Sequence, residues 1–265
     1  MVAMSDRTKI QWTDATWNPV TGCTKVSPGC AHCYAEAMTK RSGGDFSEVT
    51  LHPDRLDQPL RWRKPRRIFV CSMGDLFHED VPSQFIYHVF SVMRKASQHT
   101  FLVLTKRPGR MRAWIAANNE ITVPTPPNVW LGVSVEQQRA AEERIPLLLQ
   151  TPAAVRFVSC EPLLESVDLR LGDTRRCFCG EIRLNCDCPN LNWVIAGGES
   201  GPGARSAQLE WFHDLRDECR AAGVPLFVKQ MGSVLGRELG CCDRKGGDME
   251  AWPEDLRVRE WRDAR

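Results

Sequence analysis

Cysteine supplies the clearest chemistry in the chain. The segment Gly22-Cys-Thr-Lys-Val-Ser-Pro-Gly-Cys-Ala-His-Cys-Tyr34 sets Cys23, Cys30 and Cys33 at a C-x6-C-x2-C spacing. A C-x2-C pair turns tightly enough for both sulfurs to reach one metal centre. Pro28 and Gly29 permit the sharp approach to Cys30. Three thiolates, rather than four, is the informative number. A 4Fe-4S cluster held by three cysteines leaves one iron without a protein ligand, and that position can take a substrate or cofactor, as the open position of a catalytic zinc does. The residues leave a second reading open, a structural zinc knuckle closed by His32 or by a distant ligand.

Four more cysteines lie together at Cys177, Cys179, Cys186 and Cys188, as C-x-C-x6-C-x-C. Packing does not explain so many thiols in a polar stretch. They read as a tetrahedral zinc site that stabilises an insertion over about 172–191, with a second iron–sulfur cluster as the alternative. The chain has 12 cysteines among 265 residues. Its opening, MVAMSDRTKIQWTDATW, lacks the apolar core of an export signal, so the expectation is a cytoplasmic chain whose thiols serve metal or redox chemistry. The adjacent pair Cys241-Cys242 is assigned no role. With 35 basic and 33 acidic side chains, a net +2, the chain is neither a basic nucleic-acid coat nor an acidic disordered polymer. No apolar run approaches the roughly 20 residues of a membrane span.

The elements that must position these cysteines follow a βα rhythm. Apolar runs occur at Arg67–Cys71, Thr100–Thr105, Asn128–Ser134, Ala154–Ser159, Asn192–Gly197 and Val224–Lys229, with a shorter strand near Trp17–Val20. Most are apolar on both faces, as parallel strands covered on both sides must be. Between them lie helical stretches. One carries Phe85, Val89 and Val92 on one face, with Ile86, Phe90 and Met93 beside it; one opens at Pro108; one is capped by Ser206 and ended by Gly223. The pattern predicts α/β architecture, a full or partial (β/α) TIM-type barrel, with a doubly wound open sheet as the alternative. The expected organisation is a single domain over 1–265, with the Cys-rich insertion, a long loop over 41–66 and a wrapping tail from about 232.

In a barrel, the residues just after each strand converge on one face. Here they are polar: Asp75, Lys106, Glu136, Glu161, the glycine run from Gly197 to Gly203 with Glu199, and Lys229. Acids and amines together suit a ligand that carries both charges. Cys160, also at a strand end, reads as a buried small hydrophobe or, as the catalytic candidate, a hydrogen donor to a substrate radical.

Three cysteines following the first strand resemble the radical S-adenosylmethionine (SAM) enzymes, although the commonest spacing in that group is C-x3-C-x2-C. More closely, the segments Gln11–Cys23, Cys30–Ala35, Leu104–Pro108, Ser159–Leu163 and Gly197–Arg205 resemble the phage-associated three-cysteine-motif proteins, which carry a domain of unknown function. The resemblance implies a 4Fe-4S cluster on Cys23, Cys30 and Cys33, with SAM on its free iron. Asp75 would accept the SAM amino group, and Lys106 or Lys229 would hold its carboxylate. Glu199 would take the ribose, Gly197 and Gly198 would bring backbone N–H groups against ribose or phosphate, and Glu136 and Glu161 would be further ligands. The implied activity is reductive SAM cleavage and hydrogen abstraction from a substrate, with an electron donor as partner. A nucleic-acid base or nucleotide is the expected substrate, by analogy with photoproduct-repair and base-modifying members. The basic run Arg61-Trp-Arg-Lys-Pro-Arg-Arg67 offers cations for phosphates and Trp62 for stacking, or else a solvated loop. The competing readings are a zinc-stabilised protein that binds nucleic acid or protein without catalysis, and a barrel that keeps its cluster as a redox sensor. Oligomeric state is not legible.

Overall fold

The computed structural model describes residues 8–119, 125–172 and 190–262. Nine strands and six α-helices occur among them: β1 Ala15–Trp17, β2 Val20–Thr21, α1 Tyr34–Arg41, β3 Thr50–Leu51, β4 Arg67–Val70, α2 Ser83–Lys95, β5 Thr100–Thr105, α3 Pro108–Asn119, β6 Val129–Ser134, α4 Gln138–Leu149, β7 Val155–Cys160, β8 Trp193–Gly197, α5 Leu209–Ala222, β9 Leu226–Gln230 and α6 Ser233–Glu238. The six longer predicted strands are all present, with ends within two residues of those expected. The short strand expected across Trp17–Val20 is instead two strands. Pro19 has no N–H to give a ladder, so pairing breaks there. β1 pairs with β4, while β2 forms a small antiparallel ribbon with β3, inside the segment expected to be all loop.

Seven strands make one parallel sheet in the order β1-β4-β5-β6-β7-β8-β9. Within this sheet every strand lies beside the next of its members in chain order. A doubly wound sheet must reverse its order part-way, and no reversal occurs, so the sheet is a curled partial barrel. Among the described residues no helix is long and apolar enough to cross a membrane.

Side-chain alternation divides the core in two. One face packs under the helices: Ile68, Val70, Val103, Leu131, Val158 and Val194 meet Ile86, Val89 and Met93 of α2, Ile145 and Leu148 of α4, and Phe212 and Leu215 of α5. The other face is filled mostly with rings. Trp12, Phe69, Leu102, Trp130, Phe157, Trp193, Ile195 and Phe227 form it. Trp261 closes it from the tail, with ring centroids 5.4 Å from Trp193 and 4.8 Å from Phe227. The tail is held there because Val228 N–H donates to Val258 C=O at 2.9 Å and Glu260 N–H to Leu226 C=O at 2.8 Å. The aromatic layer fills the concave side at the level of the strands' N-terminal halves and leaves their C-terminal ends to polar residues.

One glycine makes the layer possible. A Cβ on Gly132 would lie 2.5 Å from the Phe157 ring, which fills its place. Gly132→Ala is therefore expected to destabilise the fold by about 1–3 kcal/mol through overpacking. Urea denaturation reads it as a lower midpoint, and adding Phe157→Leu should restore part of the loss. An unchanged midpoint would mean that the ring yields freely.

Two helix expectations differ in detail. Gly223 ends α5 in the left-handed region, φ +65, as expected. The helix starts at Leu209 after Gln208, however, and the Ser206 hydroxyl donates to the Ala207 carbonyl instead of capping it. The glycine run therefore does not feed directly into a helix N-terminus.

Candidate metal centre

The cysteine segment turns over the strand ends at Gly22. Its φ is +88, and a Cβ there would lie 2.0 Å from the Glu48 carbonyl oxygen, so only glycine fits. Gly22 N–H donates to Met73 C=O at 2.9 Å and Cys23 N–H to Phe46 C=O at 2.8 Å. A short turn at Pro28–Cys30 follows, and Cys33 is the residue that opens α1. Cys23, Cys30 and Cys33 are all free thiols of intermediate burial, on one loop.

Three side chains fasten this loop, and a fourth, Lys106, lies beside it. The Arg107 guanidinium, after β5, donates to Cys23 Sγ at 3.3 Å, to Thr24 Oγ1 at 2.8 Å and to the Thr24 carbonyl at 3.2 Å. Glu136, after β6 and fully buried, accepts a short hydrogen bond from the Ser27 hydroxyl. Arg205 donates to the Pro28 carbonyl at 3.0 Å. Lys106 lies close enough to Cys30 to act on its charge. Burial opposes ionisation of Cys30, but the Lys106 ammonium, the Val26 and Ser27 N–H groups and the nearby Ser27 hydroxyl outweigh it, so its thiol sits below the ordinary value. Burial, helped by Asp75 and opposed by Arg107, pushes the Cys23 thiol up to about 11.

The predicted ligand residues mostly converge on this mouth, but several are occupied. Asp75 accepts from the Thr105 hydroxyl at 2.7 and 2.9 Å, Phe77 N–H at 2.9 Å, Lys106 N–H at 3.2 Å and Arg107 at 3.3 Å. A carboxylate has about four lone-pair sites. Those of Asp75 are taken, and its work is to hold Arg107. Glu136 accepts from Arg144 at 2.8 Å and lies 3.5 Å from Lys106. Glu199 is gripped in a fork by Arg205, at 2.5 and 2.9 Å. Glu161 and Lys229 meet at 2.5 Å across β8, where Gly197 leaves room between them, and both stay partly exposed.

Other expectations need correction. Gly198 donates its N–H to Gln230 C=O at 2.9 Å and Gly201 its N–H to Ser233 Oγ at 3.0 Å. The glycine run is thus a turn packed on α6, with those donors already used. Cys160 is fully buried in the helix-facing core, one residue out of phase with Ser159 and Glu161, and burial raises its thiol well above the ordinary value. That is the packing role, not the hydrogen donor. The basic run 61–67 sits before β4, at the opposite end of the sheet from the cysteines. Trp62 is buried, Arg61 pairs with Asp57 at 2.6 Å, Arg66 stacks on Trp62 at 4.8 Å and Arg67 on Trp261 at 3.6 Å. The stacking face expected for a base is spent inside the fold. Cys177, Cys179, Cys186 and Cys188 lie outside the described residues.

Arg107, Arg144, Arg205, Ser27 and Thr24 are site residues that sequence reasoning missed. The signal for Arg107 was its place beside Lys106 after a strand, and for Arg205 its place six residues after Glu199. Nothing local marked Arg144.

The donor set fits an iron–sulfur cluster: three unpaired thiols on one loop, with a cation or N–H groups beside two of them. Each cysteine of such a cluster bonds a different iron. Among the described residues no three His, Cys, Asp or Glu side chains gather as ligands of a single ion.

A family model described as a protein of unknown function, DUF5131, matches residues 7–254. The chain belongs to this family. No curated protein matches it. Among solved structures, a cysteine-to-serine mutant of spore photoproduct lyase is similar, with a TM-score of 0.51 at 10% identity over 86% of this chain and 80% of that one. A tyrosine-to-phenylalanine mutant of the same lyase gives 0.47 at 11% identity over 86% and 79%. At that identity the first likeness speaks for the shared partial barrel in this DUF5131 chain.

Proposed function

We propose that this chain is a radical-SAM-type enzyme, with Cys23, Cys30 and Cys33 as the protein ligands of a 4Fe-4S cluster. One observation carries the reading. The three free thiols lie together on a loop fastened over the C-terminal ends of a partial barrel whose other end is plugged by aromatic rings. Such a cluster, with SAM on its open iron, supplies one-electron cleavage of SAM and hydrogen abstraction from a substrate.

The protein's own part is positional. Arg107, Glu136 and Arg205 hold the loop against the strand ends, and so would position a cluster bound by its cysteines. The aromatic layer fills the barrel below the loop. Glu161 and Lys229 present both charges at the mouth, and Lys106 a further cation; these suit the amino-acid end of SAM. Asp75 and Glu199 serve from behind. The fold neighbour's name, a photoproduct lyase, agrees with a nucleic-acid base or nucleotide as substrate, reached from the mouth and not from the 61–67 run.

The test is product formation. Anaerobically reconstituted protein, given SAM and dithionite, is expected to release 5′-deoxyadenosine, faster with a damaged oligonucleotide than without. Full iron with no 5′-deoxyadenosine would reduce the reading to a redox protein. Zinc in place of iron would end it.

A further inference from the structure

Arginine carries five N–H donors in a rigid fork. Arg107 is buried, 6% exposed. Nε donates to Glu79 at 2.9 Å, Nη1 to Asp75 and to Cys23 Sγ, each at 3.3 Å, and Nη2 to Thr24 Oγ1 at 2.8 Å and Thr24 C=O at 3.2 Å. Its partners are themselves pinned. Asp75 is held by Thr105 and two backbone N–H groups. Thr24 is held by His78 Nε2 at 2.8 Å, and Asp80 N–H donates to the other His78 nitrogen at 3.2 Å. The two Thr24 contacts already clamp the loop. The bond to sulfur adds something a clamp does not need, a fixed positive charge and an N–H aimed at a metal-ligand atom.

We propose that Arg107 tunes the redox potential of the centre held by Cys23, raising it through the Nη1–H···Sγ bond. The inference rests on the iron–sulfur reading above. Reduction adds one electron, drawn from a low-potential one-electron donor, and with it negative charge on the sulfurs. A charge-assisted donor at a sulfur favours the reduced state more than the oxidised one, and hydrogen bonds to the sulfurs are among the terms that set such potentials. Arg107 is a positioning residue, since it acts through Cys23. Its place in the motif Leu104-Thr-Lys-Arg-Pro108 then has a reason: Thr105 holds Asp75, Asp75 holds Arg107, and Pro108 starts α3 directly behind.

The experiment is a potentiometric titration, followed by electron paramagnetic resonance, on anaerobically reconstituted full-length wild type, Arg107→Gln, Arg107→Lys and Thr24→Ala. Arg107→Gln should move the midpoint to lower potential by about 59 mV, a tenfold change in the reduction equilibrium of a one-electron couple. Arg107→Lys keeps the charge and should shift less. Thr24→Ala loosens the loop but leaves the guanidinium beside the sulfur, so it should shift the potential less than Arg107→Gln does. If Arg107→Gln fails to retain iron, the ordering of Arg107→Lys below wild type and Thr24→Ala decides. Equal potentials in wild type and the arginine variants at equal iron content would overturn the inference while the cluster reading stands. A shift in Thr24→Ala as large as in Arg107→Gln would overturn it too, since loop slackening would explain both. A wild type without an iron–sulfur signal would overturn the cluster reading, and the inference with it.

Discussion

Cys30→Ala is expected to abolish cluster binding, taking iron from about four per chain in the reconstituted wild type to near zero. The argument is one of ligand count. Three thiolates are the fewest that hold such a cluster against solvent, and the loop offers no substitute. His32 lies against the glycine turn, with its ring carbon 3.1 Å from where a Gly203 Cβ would stand. Cys30 is also the thiol held below its ordinary value by Lys106 and neighbouring N–H groups, so it ionises more readily than Cys23. Cys160→Ala is the control. That thiol is buried in the helix-facing core and should leave iron content unchanged. Iron and sulfide assays with the visible spectrum read all of these together. Retention of full iron in Cys30→Ala would place the cluster elsewhere.

Glu136→Ala should cost the metal-free protein about 3–5 kcal/mol, the range for breaking a buried ion pair by removing one partner. Glu136 is fully buried, and Arg144 beside it is nearly so, donating at 2.8 Å to the carboxylate and at 2.7 Å to the Ser134 carbonyl. Without the carboxylate, a buried guanidinium keeps one carbonyl, and the Ser27 hydroxyl loses its anchor. Glu136→Gln keeps the shape and an acceptor oxygen and should cost less. Burial opposes ionisation of Glu136, but Lys106, Arg144 and the Ser27 hydroxyl hold its carboxyl below the ordinary value of 4.5. The sign follows. The stability it contributes is full above that value and lost as pH falls through the lower folded value, so Glu136→Ala should flatten the acid limb of the stability curve. Urea denaturation across that range reads both effects. A variant as stable as wild type would mean that the carboxylate is free for a ligand after all.

Local periodicity and residue chemistry were enough for the frame. The βα rhythm placed the longer strands of the sheet, because apolar runs covered on both faces are written in the chain itself. The face of α2, the start of α3 at Pro108 and the end of α5 at Gly223 came from the same kind of signal. Cys23, Cys30 and Cys33 announced themselves by type and spacing. The alternation that sets Cys160 apart from Ser159 is written in the strand as well, since neighbours in a strand point apart, although the strand-end reading grouped Cys160 with the residues of the mouth.

Tertiary structure alone decided who pairs with whom. Asp75, Glu136 and Glu199 stood at strand ends as free-looking acids. Each proved to be committed, to Arg107, to Arg144 with Lys106, and to Arg205. Trp62 looked like a stacking surface until the chain folded it inward beside His99. A charge carries no record of its partner in local sequence: several cations lie within reach of each acid, and the register of the parallel strands, with the path of the loop over them, selects one. The chain's own residues thus named the chemistry of the site, and only the fold showed which polar groups build it and which remain to meet a ligand.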